Sequence, residues 1–143
     1  MLTVDAALAD SSMRTCEKLR YADTDRQGHV NNAVFSTMFE TGRGELRYAS
    51  DSPLAAEGCA FVIASLHRDF HGEITWPGRV DIGTRVSTVG KSSLTLEQGL
   101  FQRKRCVATA KTVIVQMNEK TRRSHPLGDA TRRKLAGLIP PLT

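Results

Sequence analysis

A chain of 143 residues is long enough for one domain with a substantial core, and 40% hydrophobic with 24% charged residues excludes a disordered or low-complexity protein. The net charge of +5 is carried partly by Arg103-Lys104-Arg105, Arg122-Arg123 and Arg132-Arg133-Lys134. These clusters have neither aromatic interleaving nor finger-type spacing, so a solvated surface or a phosphate-bearing small ligand is expected and nucleic acid is not.

No apolar run approaches the roughly 20 residues of a membrane helix, and the N-terminal stretch MLTVDAALADSSM carries acids where a secretory signal is basic. Cys16, Cys59 and Cys106 are far apart and odd in number, which fits reduced, packed thiols in a cytoplasmic protein better than a disulfide framework.

Residues 1–13 read as a loose leader, and residues 14–21 as a short strand. The segment YADTDRQGHVNN (21–32) follows as a polar loop. From Asn32 the apolar period changes: Phe35, Met38, Phe39, Gly42, Leu46 and Ala49 fall on one helical stripe. Asn31 or Asn32 is the natural N-cap, and Gly42, costly inside a helix, points to close packing against another backbone. Ser-Asp-Ser-Pro (50–53) ends the helix. Residues 61–70, 79–89, 93–103 and 106–118 alternate as strands, with turns at Trp76-Pro77-Gly78, Gly90-Lys91-Ser92-Ser93 and Arg103–Arg105. Asp129 is expected to cap a last helix reaching residue 138. Neither repeat nor linker interrupts the order of strand, long helix and four strands, which defines a single α+β domain over 1–143.

Two aspartates ahead of a helix start raise a chemical question. An ionised Asp is a nucleophile, or a general base toward water. The first turn of a helix offers unpaired N–H groups and partial positive charge, suited to a developing oxyanion. Together they suffice for acyl transfer without serine, cysteine or metal, although an Asp- and Asn-rich capping loop has the same composition.

The stretch RYADTDRQGHVNNAVFSTMFETGR resembles the hot-dog-fold acyl-CoA thioesterases of the 4-hydroxybenzoyl-CoA thioesterase family, whose signature is an aromatic-x-D-T-D-x-x-G-x-V segment running into a central helix. The resemblance is strongest over residues 19–43 and extends, more weakly, to the order of elements and to the W-P-G and G-K-S-S turns. It implies a curved antiparallel sheet around one helix, and hydrolysis of an acyl-CoA. The catalytic Asp three residues before Gly is then Asp25, and the oxyanion donor is the backbone N–H of Asn32. Gly28, His29, Asn31, Lys91 and Ser92 are implied on the substrate, the last two near the phosphates of coenzyme A. Coenzyme A is part of the substrate, so no retained cofactor is expected. A homodimer or homotetramer is expected as well.

Other readings compete. Asp23 has the wrong offset to Gly28 and is expected to brace the loop. Glu40, deeper in the helix, is the rival catalytic acid. His67 and His71 stand four apart without a third ligand type, so no metal site is expected. No G-x-S-x-G elbow and no glycine-rich phosphate loop is present. The functional alternatives are a non-catalytic acyl-CoA-binding hot-dog protein and a hot-dog dehydratase or hydratase.

Overall fold

The computed structural model describes residues 8, 11, 13–48 and 53–139. Five antiparallel strands form one sheet: β1 (Met13–Lys18), β2 (Cys59–Phe70), β3 (Arg79–Val89), β4 (Ser93–Gln102) and β5 (Arg105–Asn118), in the order β1-β3-β4-β5-β2. Helix α1 (Asn32–Tyr48) lies on one face, and a short helix α2 (Asp129–Ala136) closes the chain. This is the expected α+β hot-dog arrangement, with one long helix against one sheet.

Helix α1 buries Phe35, Met38, Phe39, Gly42 and Leu46, the stripe anticipated from the sequence; Ala49 and residues 50–52 lie outside the described residues. Its first half packs with Leu19, Val30, Ile74, Val80, Ile82 and Leu100, while Leu46 joins a second cluster around Val86, Leu96, Ile114 and Leu135. Gln98 faces inward beside these leucines, and its amide donates to the Phe39 carbonyl (2.9 Å) and the Thr84 hydroxyl (3.1 Å). A buried amide needs such partners, and here it ties helix to sheet.

Several boundaries differ from expectation, each for a local reason. The first strand is Met13–Lys18, and Tyr21 belongs instead to a 3-10 turn, Tyr21–Asp23. The Asp23 carboxylate closes that turn by accepting the Arg20 backbone N–H at 2.8 Å. Asp129 is not a cap: Gly128 occupies the N-cap, and Asp129 is the first helical residue, where its charge favours the helix dipole. The helix stops at Ala136, short of residue 138. The β4–β5 turn is Arg103-Lys104 alone, because Gln102 and Arg105 already pair. Leu8 and Ser11, within the stretch read as a leader, are buried. Gly83 and Gly99 pair in register across β3 and β4, and a Cβ on either would meet Leu8. Among the thiols, Cys59 and Cys106 are half-buried, whereas Cys16 is exposed.

Gly42 is the point of closest helix–sheet approach. A Cβ there would stand 2.6 Å from the Gln98 amide nitrogen, 2.8 Å from Thr84 Oγ1 and 2.9 Å from Ile82 Cγ2. Gly44, two residues on, has nothing within 4 Å of its own Cβ position. The two glycines therefore predict opposite signs. Gly44→Ala should stabilise the protein by about 0.5–1 kcal/mol through helix propensity. Gly42→Ala gains the same propensity but must displace a hydrogen-bonded core amide, and should destabilise by a net ~1–3 kcal/mol. Urea midpoints for the two variants check this; a stabilised Gly42→Ala would refute the close contact.

Candidate active site

The segment that links β1 to α1 doubles back as a narrow ladder. Asn31 N–H donates to the Asp23 carbonyl (2.9 Å), Thr24 bridges Val30, and Asp25 N–H donates to the His29 carbonyl (2.7 Å). Gly28 turns the tip with φ +84°, a value that glycine adopts without strain. The ladder is fastened to the domain by Val30 N–H on the Ile74 carbonyl (2.9 Å) and by a bridge between His29 and Thr75.

The two aspartates of this loop have different surroundings. Asp23 is 5% exposed at the base. Burial alone would raise its pKa; the Arg20 backbone N–H and guanidinium outweigh that and hold it below the usual carboxylate range. The guanidinium Nη2 stands 2.9 Å from Oδ1. Asp25 is exposed near the tip. Its Oδ1 accepts from the backbone N–H of Gln27 (2.8 Å) and of His29 (3.2 Å), an arrangement that fixes the carboxylate plane. Its Oδ2 has no hydrogen-bond partner among the described residues.

The helix start completes the constellation. Asn31 caps α1, its Oδ1 accepting Ala33 N–H at 2.9 Å and its carbonyl accepting Val34 N–H at 2.9 Å. The next donor, Asn32 N–H, has no acceptor among the described residues, as expected for the first residue of a helix. Asp25 sits opposite His29 in the ladder, so Asn31 is its diagonal neighbour, at a Cα separation of about 7–8 Å by antiparallel geometry. One loop thus holds a free carboxylate oxygen two ladder positions from the residue that caps the helix, ahead of the unpaired Asn32 N–H.

The remaining sequence-derived residues divide. His29 meets Glu73 through a polar contact, with Nε2 to Oε2 at 3.1 Å. Lys91 and Ser92 are not brought to this loop. They occupy the β3–β4 turn, at the far end of β3 from Arg79, roughly 33 Å away at about 3.3 Å per residue. That turn is braced by Arg132, which donates to the Gly90 and Lys91 carbonyls, both at 2.9 Å. Arg132 therefore has a structural task that its place in a basic run did not reveal. Glu40 is exposed on α1. His67 and His71 reach Asp69 (3.2 Å) and Thr109 (3.0 Å), respectively. Among the described residues no group of three or more His, Cys, Asp or Glu is placed to hold a metal ion. Sequence reasoning missed Glu73, Thr75 and Gln102, whose roles arise from contacts between distant segments; Gln102 holds Thr75 through both backbone groups, at 3.0 and 2.8 Å.

A sheet wrapped on one helix, with an acid-bearing loop feeding that helix, defines a hot-dog domain of the thioesterase type. Residues 19–135 match the model of the thioesterase-like superfamily, and the chain belongs to that family. No curated protein matches the chain significantly. Among solved structures, a Bacillus stearothermophilus protein predicted to be a thioesterase is 27% identical, with a TM-score of 0.83 over 92% of this chain and 98% of that one. A Thermus thermophilus thioesterase, solved with coenzyme A and zinc, is also 27% identical, with a TM-score of 0.73 over 87% and 98%. A Staphylococcus aureus protein in complex with coenzyme A is 13% identical, with a TM-score of 0.81 over 92% and 87%, a likeness of fold. No helix of the described residues is long and apolar enough to cross a membrane.

The Asp23 pair yields a pH-dependent prediction. A carboxylate whose pKa is depressed on folding adds stability that is present above its unfolded pKa and is lost as pH falls through its folded value. Asp23→Asn should therefore cost about 1–2 kcal/mol at pH 7, a charge-assisted bond discounted because Arg20 is exposed. The cost should shrink as pH falls below about 4, the unfolded carboxylate value. Urea unfolding of both proteins between pH 7 and pH 3 measures the difference; a cost independent of pH would show that the charge of Asp23 contributes nothing.

Proposed function

We propose that the protein is a cytoplasmic acyl-CoA thioesterase that releases a free acid and coenzyme A, with Asp25 as nucleophile or general base and Asn32 N–H as oxyanion donor. The observation that carries this reading is the Asp25 carboxylate itself: one oxygen is pinned by two backbone N–H groups, the other is free, and the helix start is adjacent. In the nucleophilic route Oδ2 attacks the thioester carbon, the tetrahedral oxyanion leans on Asn32 N–H, and the C–S bond breaks to expel the thiolate. Water then hydrolyses the mixed anhydride. In the general-base route Oδ2 takes a proton from the attacking water, and the same donor serves the oxyanion. Gly28, His29 and Asn31 shape the rim of this site. Coenzyme A leaves as product, so the reaction needs no resident cofactor from it.

The position of Lys91 and Ser92 bears on assembly. Among the described residues strand β2 pairs only with β5, and its twelve residues leave the sheet edge open, with Ile63 and Phe70 about half exposed. An open edge this long favours pairing with a second copy. Antiparallel β2–β2 pairing about a two-fold axis turns one chain end for end, which brings the partner's β3–β4 turn to the same end of the assembly as the Asp25 loop. We therefore assign the Lys91 and Ser92 phosphate contacts to the opposite protomer of a dimer. The coenzyme A bound by the similar Thermus thermophilus thioesterase supports the ligand class.

Asp25→Asn should keep the fold and lower thiol release ~100-fold or more, since an amide is neither nucleophile nor base. Near-wild-type turnover in that variant, with loss in Glu40→Gln, would hand the role to the helical acid. Lys91→Ala should raise KM much more than it lowers kcat, because a remote phosphate contact is equal in ground and transition states.

Mixed dimers test the shared site. In an Asp25→Asn/Lys91→Ala heterodimer, one site draws both intact residues from opposite chains, so half the wild-type activity at wild-type KM is expected. If both residues act in the same chain, only sites of raised KM remain. Activity measured against acyl-CoA concentration, with both homodimers as references, separates the two.

A further inference from the structure

Two guanidiniums and a hydroxyl on the inner face of the sheet lack the partners that their burial demands. Arg43, on α1, is 9% exposed and makes no ion pair among the described residues. Its side chain donates once, from Nη1 to Gln98 Oε1 at 3.4 Å, although a guanidinium carries five N–H groups. Thr112, on β5, is fully buried, and its hydroxyl has no hydrogen-bond partner among the described residues. Arg68, on β2, is half-buried and donates from Nη1 to the Ser36 hydroxyl, but it too makes no ion pair among the described residues.

Strand register brings the three together. Directly paired residues of antiparallel strands share a face. Gln98 pairs with Ala110, and Ala110 with Arg68; in the next row Leu96 pairs with Thr112, and Thr112 with Leu66. Gln98 and Leu96 face the core, so Arg68 and Thr112 lie on that inner face as well. From α1, Ser36 and Arg43 stand two turns apart on one helix face and reach β2 and β4. Arg68 is close enough to help depress the pKa of Arg43, which burial lowers most. Glu40 opposes that shift, yet it is exposed and makes no ion pair with Arg43. Two cations held together out of bulk water, with an orphan hydroxyl beside them, favour an anion between them.

The cluster lies alongside α1, downstream of the proposed oxyanion donor. Phe35 and Phe70 meet at the first turn of the helix, and Ser36 with Arg68 comes next. Ser36 is four residues past Asn32, about 6 Å at ~1.5 Å per residue. The Arg43 guanidinium stands near the level of Phe39, because Gln98 bonds both, which is about 10 Å from Asn32 on the same scale.

We infer that the acyl pocket ends at this cluster and selects ω-carboxyacyl thioesters, whose far carboxylate lies between Arg68 and Arg43 and accepts from the Thr112 hydroxyl. The inference rests on the thioesterase reading. A span of about 6–10 Å is about five to eight bonds of extended chain at ~1.2 Å each, the length of adipoyl to azelaoyl groups. A carboxylate there gives both guanidiniums a charge-assisted acceptor, whereas an alkyl chain of the same length sets methyl groups against unpaired cations.

The wild-type kcat/KM should be at least ~tenfold higher for adipoyl-CoA and suberoyl-CoA than for hexanoyl-CoA and octanoyl-CoA. Arg68→Met keeps the bulk of the side chain and removes its charge. It should lower kcat/KM for the carboxyacyl pair at least ~tenfold and raise it for the alkyl pair, which inverts the preference. Arg43→Met should shift the preference in the same direction while the melting temperature holds or rises, because a buried charge without an acid is costly. A wild-type preference for the alkyl chains, or an equal loss on all four substrates in Arg68→Met, would overturn the inference. So would an Arg43→Met protein whose sedimentation changes from dimer to monomer with its chain preference intact, since the guanidinium then serves an acid of a second copy. If no thioester is hydrolysed, the thioesterase reading fails, and calorimetric titration still tests the site. Tighter binding of suberoyl-CoA than of octanoyl-CoA, lost in Arg68→Met, would support the carboxylate contact, and equal binding would refute it.

Discussion

The contact between Gly42 and the Gln98 side chain sets the position of everything that matters in this domain. A helix with any side chain at Gly42 would stand off the sheet, because the Cβ position is within 3 Å of Gln98, Thr84 and Ile82. Gln98 then turns proximity into attachment by donating to the Phe39 carbonyl and accepting, at 3.4 Å, from buried Arg43. Burial lowers the pKa of that guanidinium, with Glu40 opposing the shift and Arg47 and Arg68 adding to it. With the middle of α1 held at this distance, its first turn has a fixed height above the sheet. The unpaired N–H of Asn32 therefore has a defined place before any ligand arrives, as the proposed oxyanion contact would require.

The same contact explains how much could be read in advance. The switch from period 2 to period 3.6 at Asn32, and the apolar stripe that follows, survive in the folded chain because each reports a single element against a single face. Gly42 was legible for the same reason. Gln98 was half legible: its parity with Leu94, Leu96 and Leu100 places it inward, but its partners come from α1 and β3, far away in sequence. The burial of Leu8 was not legible, since it depends on Gly83 and Gly99 falling side by side in register. Asp129 had the chemistry of a cap, yet Gly128 takes that place, a one-residue displacement that propensity does not resolve.

The candidate site shows the same division. The spacing of Asp25 to Gly28 and to the helix start was visible because the loop is short and local hydrogen bonds shape it. The distance of Lys91 from that loop was not, because it is a property of strand order and strand length. A single run of basic residues likewise conceals separate roles. Arg132 closes the β3–β4 turn from α2, and only the folded chain distinguishes it from cations left on the surface.

Asp23 and Asp25, two positions apart, show how the fold assigns different work to the same residue type. The ladder carries Asp23 to its base, where burial is compensated by Arg20, and the pair is consumed in holding the loop. Asp25 lies one step from the tip, where backbone N–H groups orient one oxygen and leave the other open. What the described residues do not supply is shelter. Phe70 packs its ring at 5.2 Å from buried Phe35, in the first turn of α1, yet remains 49% exposed, and it ends the strand whose outer edge is unpaired among the described residues. The acid and the helix N–H are positioned within one chain, and the dimer proposed above would set a partner strand beside the exposed Phe70 ring. The open edge and the exposed ring coincide at one place, so the proposed pairing that would complete the sheet would also border the candidate site.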